Sequence, residues 1–343
     1  MPASPRRATL ATVAASAGVS VATVSKVLNG RSDVAPATRS LVESLLRQHD
    51  YVAPVPRRSE AVATDTVEVQ FDSYINAYST ELIQGLVDAG AELGVGVVVS
   101  LKKDAARPGT WARELAATGR RALIAVTSEL TSGQLTALSR VHLPLVVIDP
   151  LNLPRARVTS VGSTNFAGGL AATQHLLSLG HRRIAYIGGP ATAACNQARL
   201  HGYRAAMEAE GASAPPCHTF FGQFRYQDGL KYGAAVLDLP EPPTAIFVGC
   251  DESALGVMEA ARARGLRIPE DLSIVGFDDT QIARMASPPL TTVRQPLREM
   301  GAVALRTALR LAAGEPIDSH HVELATELIV RGSTAPVSRA RRP

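Results

Sequence analysis

The sequence lacks several features that would place it outside ordinary globular proteins. No uninterrupted apolar run approaches the roughly 20 residues that span a bilayer, so we expect no membrane partner. Its three cysteines, Cys195, Cys217 and Cys250, are widely spaced. This spacing fits neither a disulfide framework nor a metal knuckle and predicts three small, mostly buried residues. The first residues have no apolar core of a secretory signal, which predicts a cytoplasmic protein.

The common catalytic signatures are also missing. The chain has no phosphate-binding Walker A loop, no G-x-S-x-G elbow and no H-E-x-x-H zinc motif, and Leu93–Val99 lacks the third glycine of a dinucleotide site. Adjacent residues in a strand point to opposite faces, so His320 and His321 are interpreted as structural rather than metal ligands. We expect neither an enzyme nor a cofactor or metal. The alternative is an enzyme whose catalytic set is scattered along the chain.

Positive charge is concentrated in one part of the sequence. Residues 1–60 contain eight Lys and Arg against four Asp and Glu, whereas the whole chain has 35 against 31. The rest of the chain is therefore balanced. A basic N-terminal segment on a neutral body is typical of polyanion binding, although a solvated surface explains the charge alone equally well.

The first 52 residues predict three short helices. Thr9 is placed to begin the first and Gly18 to end it, Ser20 can cap the second, and the third runs from Thr38 to Gln48. A tight glycine turn between the first two predicts a helix-turn-helix. On the second helix, Ala22, Ser25, Lys26 and Asn29 share the outer face. Apolar residues spaced at helical intervals predict the small core: Leu10, Val13, Ala14, Ala17, Val24, Val27, Leu28, Leu41, Val42, Leu45 and Leu46.

The remainder predicts a linker followed by an α/β body. Residues 53–66 have prolines and no apolar period, which is typical of a linker. Beyond them, β-rich runs alternate with amphipathic stretches, which favours parallel sheets wrapped by helices. The body is large for one sheet, so we expect two lobes with a ligand cleft between them. The strand candidates are Val67–Phe71, Val95–Ser100, Leu123–Val126, Leu145–Ile148, Ile184–Ile187, Ala245–Val248 and Ile274–Phe277.

Short motifs follow one another in a characteristic order along the chain. The N-terminal segment has Ala17-Gly18-Val19-Ser20 and Thr23-Val24-Ser25-Lys26-Val27-Leu28-Asn29-Gly30. The body has Gly168-Gly169, Leu179-Gly-His-Arg-Arg-Ile184, Val275-Gly-Phe-Asp-Asp279 and Leu290-Thr-Thr-Val-Arg-Gln295. From about Thr9 to Gly332, this series closely resembles the lactose/galactose-repressor family of bacterial transcription regulators.

The resemblance implies an all-α helix-turn-helix headpiece and an α/β periplasmic-binding-protein-like core of two doubly wound lobes. It implies a headpiece over 1–52, the linker over 53–66 and a core over 67–331. The N-lobe would comprise 67–162 and 295–321, and the C-lobe 164–292 and 324–331. Three chain crossings would lie near Gly162–Thr164, Val293–Gln295 and His321–Leu324. Residues 332–343 are expected to form a flexible tail.

The resemblance also implies which residues meet DNA. Val21, Ala22 and Lys26 would reach base edges from the start of a helix in the major groove. The alternatives are a phosphate contact for Lys26 and an exposed helix start without base contact for Val21 and Ala22. Two linker arginines, Arg57 and Arg58, would hold the backbone or lie in the minor groove. Short polar residues would hold phosphates and set the register: Thr9, Ser20, Thr23, Ser25 and Asn29. Glu60 stands where the family inserts a leucine between base pairs. A carboxylate there would be buried without a partner, so we do not expect this insertion. Ala35 caps the third helix poorly, at a cost of about 1 kcal/mol.

In the core, the resemblance implies a cleft that binds a small sugar. Arg199 and Asp278 would grip hydroxyl groups, Asp149 would accept others at a strand end, and Phe224 would stack on the ligand. Asn76 and Tyr78 would close the N-lobe side. The run from Phe71 to Asn76 departs from the family's usual apolar strand followed by Pro-Asp.

These observations predict a repressor of sugar-utilisation genes. A homodimer would bind a double-stranded DNA operator and be released by a sugar effector. The alternative is a regulator that requires a non-sugar corepressor, and a sugar-binding enzyme is a further one.

Overall fold

The computed structural model describes residues 10–28, 34–48, 65–72, 74–102, 108–151, 158–212 and 215–338. The chain divides into two compact units, Met1–Val62 and Ala63–Pro343. Within the described residues, no single helix is long and apolar enough to cross a membrane; only the bent pair of helices at the N-terminus reaches that length and composition jointly.

The described residues of the smaller unit form three helices, α1 (Leu10–Ala17), α2 (Val21–Leu28) and α3 (Pro36–Gln48). Gly18 ends α1 with φ +64°, a left-handed conformation that glycine adopts without strain. Ser20 caps α2, since its hydroxyl oxygen accepts from the Thr23 amide at 3.1 Å. The axes of α1 and α2 are bent by 101°, the angle of a helix-turn-helix. Their core consists of Val13, Ala14, Val24, Val27, Val34 and Val42.

Two predictions about α3 need correction. The helix begins at Pro36, two residues before the predicted Thr38, because proline suits the first helical position and the Ala35 carbonyl accepts from the Arg39 amide at 3.0 Å. Leu41, predicted to face the core, is 48% exposed. Val42 takes the buried place instead.

The larger unit contains two lobes, and each is built on a six-stranded sheet. The first lobe has strand order β11-β5-β4-β3-β1-β2, with every neighbouring pair parallel. Apolar residues of α4 and α12 cover one face of this sheet, and those of α5 and α6 cover the other. The elements are β1 (Thr66–Phe71), α4 (Ala77–Leu93), β2 (Gly96–Leu101), α5 (Pro108–Ala117), β3 (Leu123–Val126), α6 (Ser132–Arg140), β4 (Leu145–Ile148), β5 (Thr159–Ser163), α12 (Leu297–Ala312) and β11 (His321–Leu324).

The second lobe has strand order β12-β10-β9-β8-β6-β7, in which only β12 is antiparallel to its neighbour. Its sheet is buried on both faces, by α7 with α8 and by α9 with α10. The elements are α7 (Asn165–Ser178), β6 (Ile184–Gly188), α8 (Ala194–Ala209), β7 (Thr219–Phe221), α9 (Tyr226–Leu237), β8 (Ala245–Val248), α10 (Asp251–Arg262), β9 (Ser273–Asp278), α11 (Gln281–Met285), β10 (Thr291–Arg294) and β12 (Glu327–Ile329).

The chain crosses between the lobes three times, at Thr164, at Gln295–Pro296 and at 325–326. The third crossing was expected at His321–Leu324, but those four residues pair with β5, so the chain leaves the first lobe only after them. Hydrogen bonds join neighbouring crossings. The Ser163 hydroxyl donates to Gln295 Oε1 at 2.6 Å, and the Thr164 and Thr326 hydroxyls lie 3.0 Å apart.

The expectation of a flexible tail from residue 332 is wrong for its described part, which ends at 338. Ser333 is fully buried, and its hydroxyl donates to the Ile274 carbonyl at 2.6 Å. The Val337 amide donates to the Leu179 carbonyl at 2.9 Å. The segment is held because it makes hydrogen bonds to main-chain groups of the second lobe. Its polar composition gives no sign of these bonds. The linker up to residue 64 lies outside the described residues.

Candidate functional site

The outer surface of α2 is the predicted DNA-contacting face. Val21 is 46% exposed, and Ala22 and Lys26 are exposed as well. Apolar side chains gain nothing from exposure at a helix start, and Val24 and Val27 of the same helix are buried. The second helix thus separates a core face from an accessible face that begins at its N-terminus.

Short polar groups surround the start of α2. The Ser20 and Thr23 hydroxyl oxygens lie 2.9 Å apart, with Ser20 exposed and Thr23 and Ser25 partly exposed. A helix N-terminus with hydroxyl groups suits a phosphate. The other predicted DNA contacts, at Thr9, Asn29, Arg57 and Arg58, lie outside the described residues, as does Glu60.

In the larger unit, a cavity lies between the two lobes, where the carboxyl ends of their parallel strands meet. This is the edge at which open α/β sheets bind ligands. The cavity has a volume of about 160 Å³, room for a small organic molecule. All six residues predicted for the effector line it: Asn76, Tyr78, Asp149, Arg199, Phe224 and Asp278.

Arg199, on α8, is held rigidly inside the cavity wall. Only 3% of its surface is exposed. Its Nε donates to Asn165 Oδ1 at 2.7 Å and its Nη1 to the Gly249 carbonyl at 2.6 Å. The guanidinium carbon lies 3.8 Å from the centre of the Phe277 ring and 5.6 Å from that of Phe224. Contacts of this kind orient the guanidinium before a ligand arrives.

Asp278, the last residue of β9, lies beside Arg199 and is 5% exposed. Its Oδ1 accepts from Gln295 Nε2 at 2.7 Å and lies 4.0 Å from Arg199 Nη1. Burial raises the pKa of Asp278 well above its ordinary value, and the Arg199 charge partly opposes this shift. Through Gln295, the carboxyl group is connected directly to one of the lobe crossings.

Asp149 directly follows β4 on the opposite side of the cavity and is 3% exposed. Its Oδ2 accepts from the Tyr78 hydroxyl at 2.6 Å. Burial raises the pKa of Asp149, while Arg199 and the hydrogen bond from Tyr78 lower it. Burial together with the nearby Asp149 charge raises the pKa of Tyr78, so the phenol stays a donor. Asp149 and Asp278 are therefore carboxyl acceptors on either side of one arginine.

Four of the cavity residues have unusual backbone geometry. Thr127, Asp149, Phe224 and Asp278 have φ values of +45°, +45°, +59° and +120°. Positive φ is costly for residues other than glycine, and such strain concentrates at functional sites. The Phe224 ring also packs where a Cβ on Gly189 would lie only 2.1 Å from it, so this glycine makes room for the aromatic side chain.

Several cavity residues were not predicted from the sequence. Glu252, in the first turn of α10, accepts from Asn76 Nδ2 at 3.2 Å, and the Arg225 guanidinium lies 5.1 Å from the Tyr74 ring centre. Both contacts join the two lobes across the cavity. Asp72, flagged as unusual in the sequence, also lines the cavity and pairs with Lys102 at 3.0 Å. The one sequence feature that could have indicated Glu252 is its place in an acidic first turn, directly after the strand β8.

The cysteines and the adjacent histidines differ in their burial and contacts. Cys195 and Cys250 are buried beside the cavity, as predicted, but Cys217 is exposed, so the prediction of three buried cysteines is wrong for it. Burial raises the pKa of Cys195 to about 11, which keeps this thiol protonated and unreactive. His320 and His321 contact the Thr159 and Ser160 hydroxyls at 3.2 and 3.0 Å. The described residues contain no cluster of three or more potential metal ligands.

Comparisons with known proteins agree with this architecture. Residues 9–53 match the family described as "Bacterial regulatory proteins, lacI family", and residues 173–334 match "Periplasmic binding protein-like domain". The HTH-type transcriptional regulator CelR of Thermobifida fusca is 32% identical over 335 residues, which cover 96% of this chain and 98% of the relative. The transcriptional repressor CytR of Escherichia coli K12 is 32% identical over 95% of this chain and 96% of its own.

Solved structures give the same result. A CelR–cellobiose complex is 33% identical, covers 95% of this chain and 100% of its own, and superposes with a TM-score of 0.73. The Lac repressor dimer bound to operator and the anti-inducer ONPF is 27% identical, covers 96% of this chain and 100% of its own, and has a TM-score of 0.69. The chain therefore belongs to the LacI family of DNA-binding transcription regulators.

Proposed function

We propose that this regulator is a cytoplasmic repressor of sugar-utilisation genes, released from its operator by a small sugar bound between the lobes. The observation that carries the proposal is the group of Arg199, Asp149 and Asp278, which surrounds one cavity at the lobe crossings. Carboxyl acceptors beside the remaining N–H donors of an arginine suit neighbouring hydroxyl groups, and Tyr78 and Phe224 offer aromatic surface for a sugar ring. A related complex holds cellobiose, and a family member from Enterococcus faecium at 26% identity holds ribose.

Effector binding would act by changing how the two lobes are held. Asp278 and Arg199 are linked to crossing residues through Gln295 and Asn165, at 2.7 Å each. A ligand that contacts these side chains in only one arrangement of the lobes shifts the population towards that arrangement. Moving the DNA-competent fraction from 99:1 to 1:99 needs a preference of about 5.5 kcal/mol.

On DNA, the protein would act as a homodimer on an approximately palindromic operator, one head per half-site. Val21, Ala22 and Lys26 would contact bases, while Ser20, Thr23 and Ser25 would contact phosphates. The exposed outer face of α2 supports this assignment. Thr9, Asn29, Arg57 and Arg58 are proposed as further backbone or minor-groove contacts on the family resemblance alone.

The experiment is operator selection from random duplex DNA, followed by footprinting with and without cellobiose, ribose and other neutral sugars. We expect the protein to protect a palindromic sequence. One of these sugars should abolish the protection, and the protein should not convert that sugar to a product. Protection that appears only when a small molecule is added would indicate corepression and contradict release. Turnover of the sugar by the purified protein would indicate an enzyme.

A further inference from the structure

The charge of the cavity wall restricts the ligand further. Four helices of eight residues or more start at the cavity: α4, α8, α9 and α10. A helix N-terminus at the carboxyl edge of a parallel sheet is the usual place where an α/β protein binds phosphate or carboxylate. The acceptors already present at these four starts therefore decide whether an anionic ligand fits.

At α4 and α10, side chains of the protein occupy the helix start. Asn76 Oδ1 accepts from the Ser79 amide at 3.0 Å. Cys250 Sγ accepts from the Ser253 amide at 3.4 Å, and the first turn of α10 adds two acidic residues, Asp251 and Glu252. Carboxylates in a first turn satisfy the positive end of the helix dipole, so a second anion there meets like charge.

At α9, carboxylates again take the amides. Asp228 Oδ2 accepts from the Gln223 and Arg225 amides at 2.6 and 3.2 Å, and Glu252 Oε1 accepts from the Tyr226 amide at 3.4 Å. Glu252 thus contributes negative charge to two helix starts at once. Its other oxygen binds Asn76 from the opposite lobe.

The start of α8 has no side-chain cap and no acidic residue. Its first amide, from Ala194, donates to the Leu151 carbonyl of the opposite lobe at 2.9 Å. A main-chain acceptor therefore already satisfies this donor, without a charge.

Among the described residues, the ionisable side chains that line the cavity are mostly acidic. Arg199 and Arg225 face four carboxyl groups, those of Asp72, Asp149, Glu252 and Asp278. Arg199 lies against Asp278 and two aromatic rings, and Arg225 lies over Tyr74. An incoming phosphate would lose its water and find these cations engaged, whereas a hydroxyl group can donate to the carboxyl oxygens.

We propose that the cavity takes an uncharged polyhydroxyl ligand and rejects sugars that carry a phosphate or carboxylate, with Glu252 as the residue that most strongly enforces this choice. The inference rests on the proposed sugar-responsive function and narrows its ligand class. Glu252 would determine specificity because it places a carboxylate in the cavity wall, at two helix starts, and in the contact with Asn76 that joins the lobes.

Matched sugar pairs test this proposal by calorimetry on the full-length protein: ribose with ribose 5-phosphate, glucose with glucose 6-phosphate, and cellobiose with cellobionate. We expect at least one neutral sugar to bind. Its anionic partner should bind more weakly by a factor of about ten or more. An anionic member that binds as tightly as its neutral partner would overturn the inference while leaving the sugar-responsive function standing. If no member of any pair binds, the proposed function fails, and the inference fails with it.

Charge variants on one helix test the role of Glu252. Glu252→Gln keeps the size of the side chain and removes its charge, and Glu259→Gln makes the same change at an exposed position further along α10. We expect Glu252→Gln to reduce the preference for the neutral sugar about threefold or more, and Glu259→Gln to leave it as in the wild type. An unchanged preference in Glu252→Gln, or an equal reduction in both variants, would contradict the assignment.

Discussion

The two surfaces proposed to be functional in this chain are built in opposite ways. The predicted DNA-contacting face is exposed, with Val21 46% accessible, whereas Arg199 and Asp278 in the cavity are 3% and 5% accessible. An exposed residue can be exchanged without loss of packing, but a buried charged residue is part of the fold that holds it. We therefore expect changes in DNA specificity to leave the stability of this protein intact, and changes in effector specificity to alter it.

The largest expected effect comes from Arg199→Ala, which removes a buried donor to Asn165 and Gly249 and leaves Asp278 without its cation. Effector affinity should fall by about 2–5 kcal/mol, and the free energy of unfolding by about 3–5 kcal/mol. Calorimetry and urea unfolding measure the two losses. Arg204→Ala, at an exposed position of the same helix, is the matched control. Unchanged effector affinity in Arg199→Ala would show that the cavity is not the effector site.

A smaller effect, restricted to DNA, is expected from Lys26→Ala. Specific operator binding should weaken by about 1–3 kcal/mol, while the free energy of unfolding stays the same because Lys26 is exposed. Fluorescence anisotropy on operator and random duplexes measures this, with Lys231→Ala on α9 as the control for charge. Equal losses on both duplexes would make Lys26 a phosphate contact. A loss of stability would break the comparison between exposed and buried surfaces.

The next prediction concerns Asn76, which is half-buried. We expect it to contribute both to stability and to effector binding. Its side chain caps α4 and binds Glu252 across the cavity. Asn76→Ala should cost about 1 kcal/mol of stability and weaken effector binding by about tenfold or less. Thr131→Ala removes the cap of α6 outside the cavity and should cost the same stability with no change in effector affinity. If both variants bind the effector equally well, Asn76 is a helix cap only.

The smallest expected effect is on pH dependence. His181 is buried between the Thr244 and Ser273 hydroxyls at 2.9 and 3.0 Å, and burial lowers its pKa below the ordinary 6.5. The unfolded chain then binds more protons than the folded chain, so the stabilising contribution of neutral His181 is complete above pH 6.5 and is lost as the pH falls below it. Urea unfolding of wild type and His181→Gln from pH 7.5 to 5 measures the difference. The wild type should lose stability relative to the variant on acidification, and parallel curves would refute this.

Elements with a strong local pattern could be predicted from the sequence. The three N-terminal helices and seven strands were predicted from runs of apolar residues or from the spacing of apolar residues. Each of them has a counterpart in the structure. The strands β5, β7, β10, β11 and β12 were not among those predicted from the apolar pattern. Residues such as Thr159-Ser-Val-Gly-Ser163 are polar and form a strand only because neighbouring strands offer main-chain partners.

The cavity shows the same limit. The resemblance pointed to Arg199 and Asp278 because these residues stand in recognisable motifs. Glu252 and Asn76 are 176 residues apart, and their contact exists only because two lobes meet, so no local pattern indicates it. Ser333 is a similar case, since a short polar segment predicts a free end until its hydroxyl is seen to bind the Ile274 carbonyl.

We propose that the effector and the operator each stabilise a different arrangement of the two lobes, so that binding of one weakens binding of the other. The most direct test is the affinity of a neutral sugar such as cellobiose for the free protein and for the same protein saturated with operator. Coupling between two sites is reciprocal, so the sugar should bind the operator complex more weakly by the same factor by which it weakens operator binding. Equal affinity of the sugar for the free protein and the operator complex would contradict the account.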